Sequence, residues 1–213
     1  MYYSTVMKKF YERYWDGKES LGDLEIKWPV LQRYIPREKN VSLLDFGCGK
    51  GFLLSKIALL NPNLKLVGVD VSKTAITTIK NTFPSGNFLH IAENGKIPFK
   101  DNAFDFIVAA DVLEHIYDTT NALSELTRVL KPNGRIFISV PYHGMIKNII
   151  ATFVGFDFYF DPKQAHIRFY TKKNLFKVVN EAGLKILKHG YYGRFYPISH
   201  GQFVFCEKSN ISG

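Results

Sequence analysis

Short apolar runs alternate with stretches of helical periodicity through the middle of the chain. Ser42–Phe46 (SLLDF) is apolar and ends in glycines, which suits a buried parallel strand. Gly51–Leu60 follows with helical spacing, and Asn61-Pro62 stops it. Further strands are predicted at Leu64–Val69, Asn87–Ile91, Phe104–Ala110 and Arg135–Val140. Helices are predicted from Ser72 through Thr82 and over Thr119–Leu130, with Ser72 and Asp118 as caps. Lys131-Pro132-Asn133-Gly134 reads as a turn before the fifth strand. Strands and helices in this alternation predict an α/β fold, a parallel sheet covered on both faces.

The two ends break the rhythm. Residues 1–40 read as an N-terminal helical cap, with a helix over Val6–Trp15 and a second near Pro29–Tyr34, Pro29 lying in its first turn. Residues 41–213 read as the main domain. Within it, Tyr142–Tyr170 reads as an irregular aromatic insertion, and Phe153, Phe156, Phe158, Tyr159 and Phe160 suit a cover over an acceptor. Met145–Val154 inside it is a short amphipathic stretch. Thr171 then caps a helix to Ala182, closed by Gly183, and two last strands run near Lys185–Tyr191 and Gln202–Glu207.

Candidate chemistry gathers where the first two strands end. Gly47, Cys48, Gly49, Lys50 and Gly51 join strand to helix, and glycines there let backbone and ligand approach closely. Asp70 ends the second strand, where a carboxylate can accept two hydrogen bonds from a ribose diol. The glycine spacing is G-x-G-x-G, one residue shorter than a dinucleotide loop, and Asp45 precedes it. Asp45 would repel a pyrophosphate and suits a cationic amine, such as that of S-adenosylmethionine.

These segments resemble the class I, Rossmann-like S-adenosylmethionine-dependent methyltransferases. The resemblance rests on LLDFGCGKG (43–51), GVD (68–70), ENGKIPFKDNAFDFI (93–107), ADVLEHI (110–116), LTRVLKPNGR (126–135) and NEAGL (180–184). It is nearest the branch that serves ubiquinone and menaquinone biosynthesis. It implies a seven-stranded, mostly parallel sheet with an antiparallel last strand. It also implies that Asp45 and the Gly47, Cys48, Gly49 and Gly51 loop hold the methionine part of S-adenosylmethionine. Asp70 would take the ribose hydroxyls, Val71 the adenine face, and Glu93 with the Asn94 backbone the adenine amino group. Ala110 and Asp111 would lie near the sulfonium.

For the acceptor, Ala110-Asp111-Val112-Leu113 lacks the Asn/Asp-Pro-Pro-aromatic motif of nucleobase amine methylation, and neither Cys48 nor Cys206 is placed for pyrimidine carbon chemistry. A small-molecule acceptor, methylated at oxygen, is expected, with His143, His115 or His166 as general base. Asp111-x-x-Glu114-His115 resembles a divalent-metal sequence of some quinone O-methyltransferases, but no metal is expected. Methylation of RNA or protein, and a non-catalytic scaffold, are the rival readings.

Composition adds two points. Two cysteines, no apolar run long enough to cross a bilayer and no secretory leader pattern suggest a soluble, cytoplasmic protein. The net charge of +9 divides as +2 over residues 1–40, +1 over 41–140 and +6 over 141–213. The excess therefore lies on the acceptor side. It suggests an acidic or lipid-associated acceptor and peripheral membrane contact rather than nucleic acid.

Overall fold

A computed structural model describes residues 10–15, 17, 23–84, 86–92, 96–159, 161 and 166–209, without the side chain of Phe158. The expected part of the first helix at residues 6–9, and Glu93, Asn94 and Phe160, lie outside the described residues.

The apolar runs form seven strands in one sheet. They are β1 (Ser42–Phe46), β2 (Lys65–Asp70), β3 (Asn87–His90), β4 (Phe104–Ala110), β5 (Leu130–Pro141), β6 (Leu184–Tyr192) and β7 (Gly201–Lys208), in the order β3-β2-β1-β4-β5-β7-β6. The first five pair in parallel, and β7 runs antiparallel to both β5 and β6. The side-chain alternation of β4 shows why the sheet needs two covers. Ile107 and Ala109 enter the core beneath one face, and Phe106 and Val108 enter the core on the other. Helices α1 (Leu24–Leu31), α2 (Phe52–Leu60) and α3 (Lys73–Thr82) fill the Phe106 side. Helices α4 (Thr119–Val129) and α7 (Lys172–Glu181) fill the Ile107 side. Ser72, Asp118 and Thr171 each accept a backbone N–H at the start of their helices, as expected.

Three local expectations are corrected. Helix α1 starts at Leu24, so Pro29 lies inside it rather than in its first turn, and residues 32–34 are turn. Leu24 and Leu31 bury one face of α1, and that packing outweighs the hydrogen bond Pro29 cannot donate. Lys131–Gly134 belongs to β5 as an irregular stretch: Phe104 pairs with Leu130 and Phe106 with Arg135. Four residues there stand opposite Asp105 alone, an excess of three, and Asn133 takes the left-handed conformation at φ 62°. The insertion is not irregular throughout, because it contains α5 (Met145–Val154) and the short α6 (Phe156–Tyr159). A short 3-10 turn, Leu113–His115, follows β4.

Candidate functional site

The carboxyl ends of β1 and β4 meet α1 and α2 around one small cavity. Gly47, Gly49 and Gly51 hold φ of +79°, +52° and +83°, the region that glycine alone enters without strain. The loop is also crowded. Side chains of Val112 and Trp15 occupy the space where a Cβ on Gly47 or Gly49 would stand. The loop's own amides are committed to the protein. Gly47 and Cys48 donate to the Val69 carbonyl at 2.8 and 3.0 Å, Gly49 to Asp70 Oδ2 at 2.8 Å, and Gly51 to the Cys48 carbonyl at 2.9 Å.

Asp70 accepts a second backbone N–H, from Ser72, on Oδ1 at 2.8 Å. Both oxygens are thus anchored. Burial raises the pKa of Asp70, while these N–H groups oppose the rise. Asp45 is buried with Oδ2 unpartnered. Burial, reinforced by Asp70 and opposed by Lys27, pushes its carboxyl up to about 7. Leu24, Lys27, Asp45, Gly47, Cys48, Leu53 and Ala110 line a cavity of about 20 Å³. Val71 packs against the apolar core just beyond β2.

Asp111 takes the left-handed conformation at φ 55°, which short polar side chains tolerate. Its Oδ1 accepts from the Ser139 hydroxyl at 2.8 Å and from the Tyr192 hydroxyl at 3.0 Å. Its Oδ2 pairs with Lys27, which also pairs with Asp23 at 3.0 Å. Burial works against both charges of the Lys27–Asp111 pair. Their mutual attraction outweighs it, raising the pKa of the lysine and lowering that of the carboxylate.

Two of the three candidate histidines are neighbours. His115 and His166 rings lie 5.0 Å apart, and the backbone of residues 167 and 168 donates to the Glu114 carbonyl, which fixes His166 beside the 3-10 turn. Glu114, His115 and His166 present donor atoms within 4.8 Å of one another, a set that could hold a divalent cation. Both carboxyl oxygens of Glu114 are buried without a hydrogen-bond partner, and Oε1 lies 3.9 Å from His115 Nε2. Burial, then the charge of Asp111, pushes its pKa well up. His143 rests edge-on against Phe169 at 4.6 Å. Burial, then Lys147, pushes it down to about 4. His166 is lowered by burial as well, with Asp111 opposing.

Comparison with known proteins decides the family. Residues 37–182 match the model of a methyltransferase domain. The chain belongs to the class I S-adenosylmethionine-dependent methyltransferase family. A relative from Mycobacterium tuberculosis, named a probable S-adenosylmethionine-dependent methyltransferase, is 29% identical over 132 residues. That match covers 59% of this chain and 47% of the relative, so the chain spans about half of it. The ubiquinone biosynthesis O-methyltransferase of Coxiella burnetii is 29% identical over 184 residues, 82% of this chain and 77% of the relative. The crystal structure of an S-adenosylmethionine-dependent methyltransferase from Aquifex aeolicus superposes with a TM-score of 0.67 at 19% identity, over 96% of this chain and 98% of that one. That likeness shows the fold.

The site residues of this methyltransferase fit the family's cofactor. An orphaned buried carboxylate oxygen and an anchored acid at the end of β2 suit an amine and a diol in turn. The sequence pattern did not show Lys27, Ser139, Tyr192 or Trp15. They reach the site from α1, β5, β6 and the N-terminal segment, and no local spacing marks them.

Proposed function

We propose that the chain transfers a methyl group from S-adenosylmethionine to an oxygen of a small-molecule acceptor that is acidic or lipid-borne. The observation that carries the reading is the meeting of Asp45 and Lys27 across one cavity. Asp45 offers a buried acceptor without a partner. Lys27 uses two of its three donors on Asp23 and Asp111. The pair is complementary to a zwitterion, with Asp45 taking the amino group and Lys27 the carboxylate of the methionine end. Asp70 takes the ribose hydroxyls. When bound, the cofactor supplies an electrophilic methyl group on a sulfonium.

On the acceptor side, His166 removes the proton of the acceptor hydroxyl at one of its ring nitrogens. It is held against His115, and burial keeps it neutral and able to accept a proton at pH 7. His143 and Phe169 form the next wall. The O-methyltransferase name of the Coxiella relative supports oxygen as the target.

The test is calorimetry with S-adenosylhomocysteine followed by a homocysteine-release assay over phenols, hydroxy acids and lipid-linked alcohols. Binding that Asp70→Ala abolishes is expected, with turnover lost in His166→Ala but not cofactor binding. Absence of binding in the wild type would sink the reading.

A further inference from the structure

We propose that α5 is a membrane-docking helix that seats the carboxyl edge of the sheet on an anionic lipid surface. This deepens the reading above, on which it rests for the lipid-borne acceptor, by naming the surface the enzyme works on.

The sequence of α5, MIKNIIATFV, is apolar at most positions, yet Ala151 is the one residue of the helix that is buried. Met145, Phe153 and Val154 are 76%, 85% and 82% exposed, and Ile146, Ile149 and Ile150 are about half exposed. At ~100° per residue, these six side chains fall within about half of the helix circumference. Lys147 and Ala151 lie on the other half. The Lys147 ammonium turns inward, donating to the carbonyls of Tyr142 at 2.8 Å and His200 at 3.2 Å. The polar side therefore tethers the helix to the body and the apolar side faces out, the reverse of a helix that serves a core. The outward face carries no charge.

The patch continues beyond the helix. Phe169 is exposed and rests on His143, and Tyr196 is exposed and lies 6.2 Å from Tyr142. Tyr142 and His143 lead directly into Gly144, the N-cap of α5. Phe195 extends the same loop and is exposed. Ten residues of helix are about 15 Å long, too short to cross a bilayer and suited to lying in its interface. No helix among the described residues is long and apolar enough to span a membrane.

Charge selects the occupant. Arg194, beside the exposed Phe195, lies close enough to Lys147 to depress its ammonium, after burial, to about 8. Lys172 and Lys173 are exposed at the start of α7, just past Tyr170, which bridges to Tyr142. Lys185 and Lys208 lie at the opposite, amino edge of the sheet, so the rim charge is that of Arg194, Lys172 and Lys173. A second copy of the chain would bring one positive rim against another. An anionic bilayer meets the apolar face with lipid and the rim with opposite charge. It also places His143 at the membrane, where a lipid-borne hydroxyl would enter.

The test is co-sedimentation of the full chain with vesicles of phosphatidylglycerol and phosphatidylcholine, against phosphatidylcholine alone. The wild type is expected to bind the anionic vesicles and to lose about tenfold in affinity on neutral vesicles or when salt shortens the Debye length to ~4 Å. Ile149→Glu with Phe153→Glu is expected to lose at least about tenfold on anionic vesicles, with S-adenosylhomocysteine binding unchanged as proof of folding. No vesicle binding by the wild type overturns the proposal. So does equal binding by the double variant, or self-association that the variant abolishes in the absence of any lipid binding. Vesicle binding by a wild type that binds no S-adenosylhomocysteine would uphold the docking helix while removing the methyltransferase reading.

Discussion

Lys27 and Asp111, 84 residues apart, form a buried ion pair that ties α1 to the carboxyl end of β4. Ser139 and Tyr192 complete the shell around Asp111, so four elements converge on one carboxylate. Breaking a buried pair leaves the partner charge uncompensated, which costs about 3 kcal/mol or more. Lys27→Met should therefore lower the melting temperature by roughly 6–12 °C, at ~2–4 °C per kcal/mol for a chain of this size. It should also weaken S-adenosylhomocysteine by about tenfold or more, the worth of a hydrogen bond to a charged group. Binding of 5′-methylthioadenosine, which lacks the amino-acid end, should not change. Equal weakening of both ligands would confine Lys27 to folding.

Gly49→Ala should abolish cofactor binding with a modest loss of stability. The backbone at φ +52° costs an alanine about 1–2 kcal/mol. The new methyl would also displace the Trp15 ring. The chain has two tryptophans, and Trp15 is buried on the loop, so the displacement should appear as a red shift and fall in intrinsic fluorescence. An unshifted spectrum would mean that the ring does not close over Gly49 in solution.

How much was legible in the sequence follows from distance along the chain. The glycine loop, Asp70 and the Ser72 cap lie in continuous strand–turn–helix units, where apolar period and turn chemistry act locally. They were readable for that reason. The Lys27–Asp111 pair, the Tyr192 hydroxyl and the seat of Trp15 exist only once the sheet has assembled. Helix α5 shows a different limit. Its apolar spacing was visible, but periodicity does not say whether an apolar face looks inward or outward. Exposure of Phe153 and Val154 decides that. Pro132-Asn133-Gly134 is good turn chemistry and reads as a turn, but β4 pairs with Leu130 before it and with Arg135 after it, and β7 joins from Arg135 onward.

Cofactor binding should release a proton below neutral pH. Burial, then Asp70, pushes Asp45 up to about 7, so its carboxyl is protonated in the cofactor-free protein at pH 6. Holding an amine requires the carboxylate. Affinity for S-adenosylhomocysteine should fall by up to about tenfold per unit below pH 7 and level off above about 8. Calorimetry at pH 6 in two buffers of different ionisation enthalpy should show the released proton, and Asp45→Asn should show none. The same shift acts on stability. The folded form keeps a proton that the unfolded form, with its carboxyl near 3.8, has lost. This group's contribution is therefore largest below about pH 4 and declines as pH rises toward 7.

Replacing Lys172, Lys173 and Lys177 with glutamine should separate the two meanings of the basic C-terminal segment. All three are exposed on α7, and Lys177 has only a marginal contact with Glu181 at 4.0 Å. The melting temperature and S-adenosylhomocysteine affinity should therefore hold. The net charge falls from +9 to +6. Near an anionic bilayer each lysine is worth about 1 kcal/mol, so vesicle affinity should drop by roughly tenfold or more and its salt dependence should flatten. If the charge instead guides an acidic acceptor, KM for a detergent-dissolved acceptor should rise while vesicle binding stays level. The two readouts move independently because the first depends on α7 facing the lipid headgroups and the second on its field reaching His143. No change in either would leave the +6 segment as a solvated surface with no part in recognition.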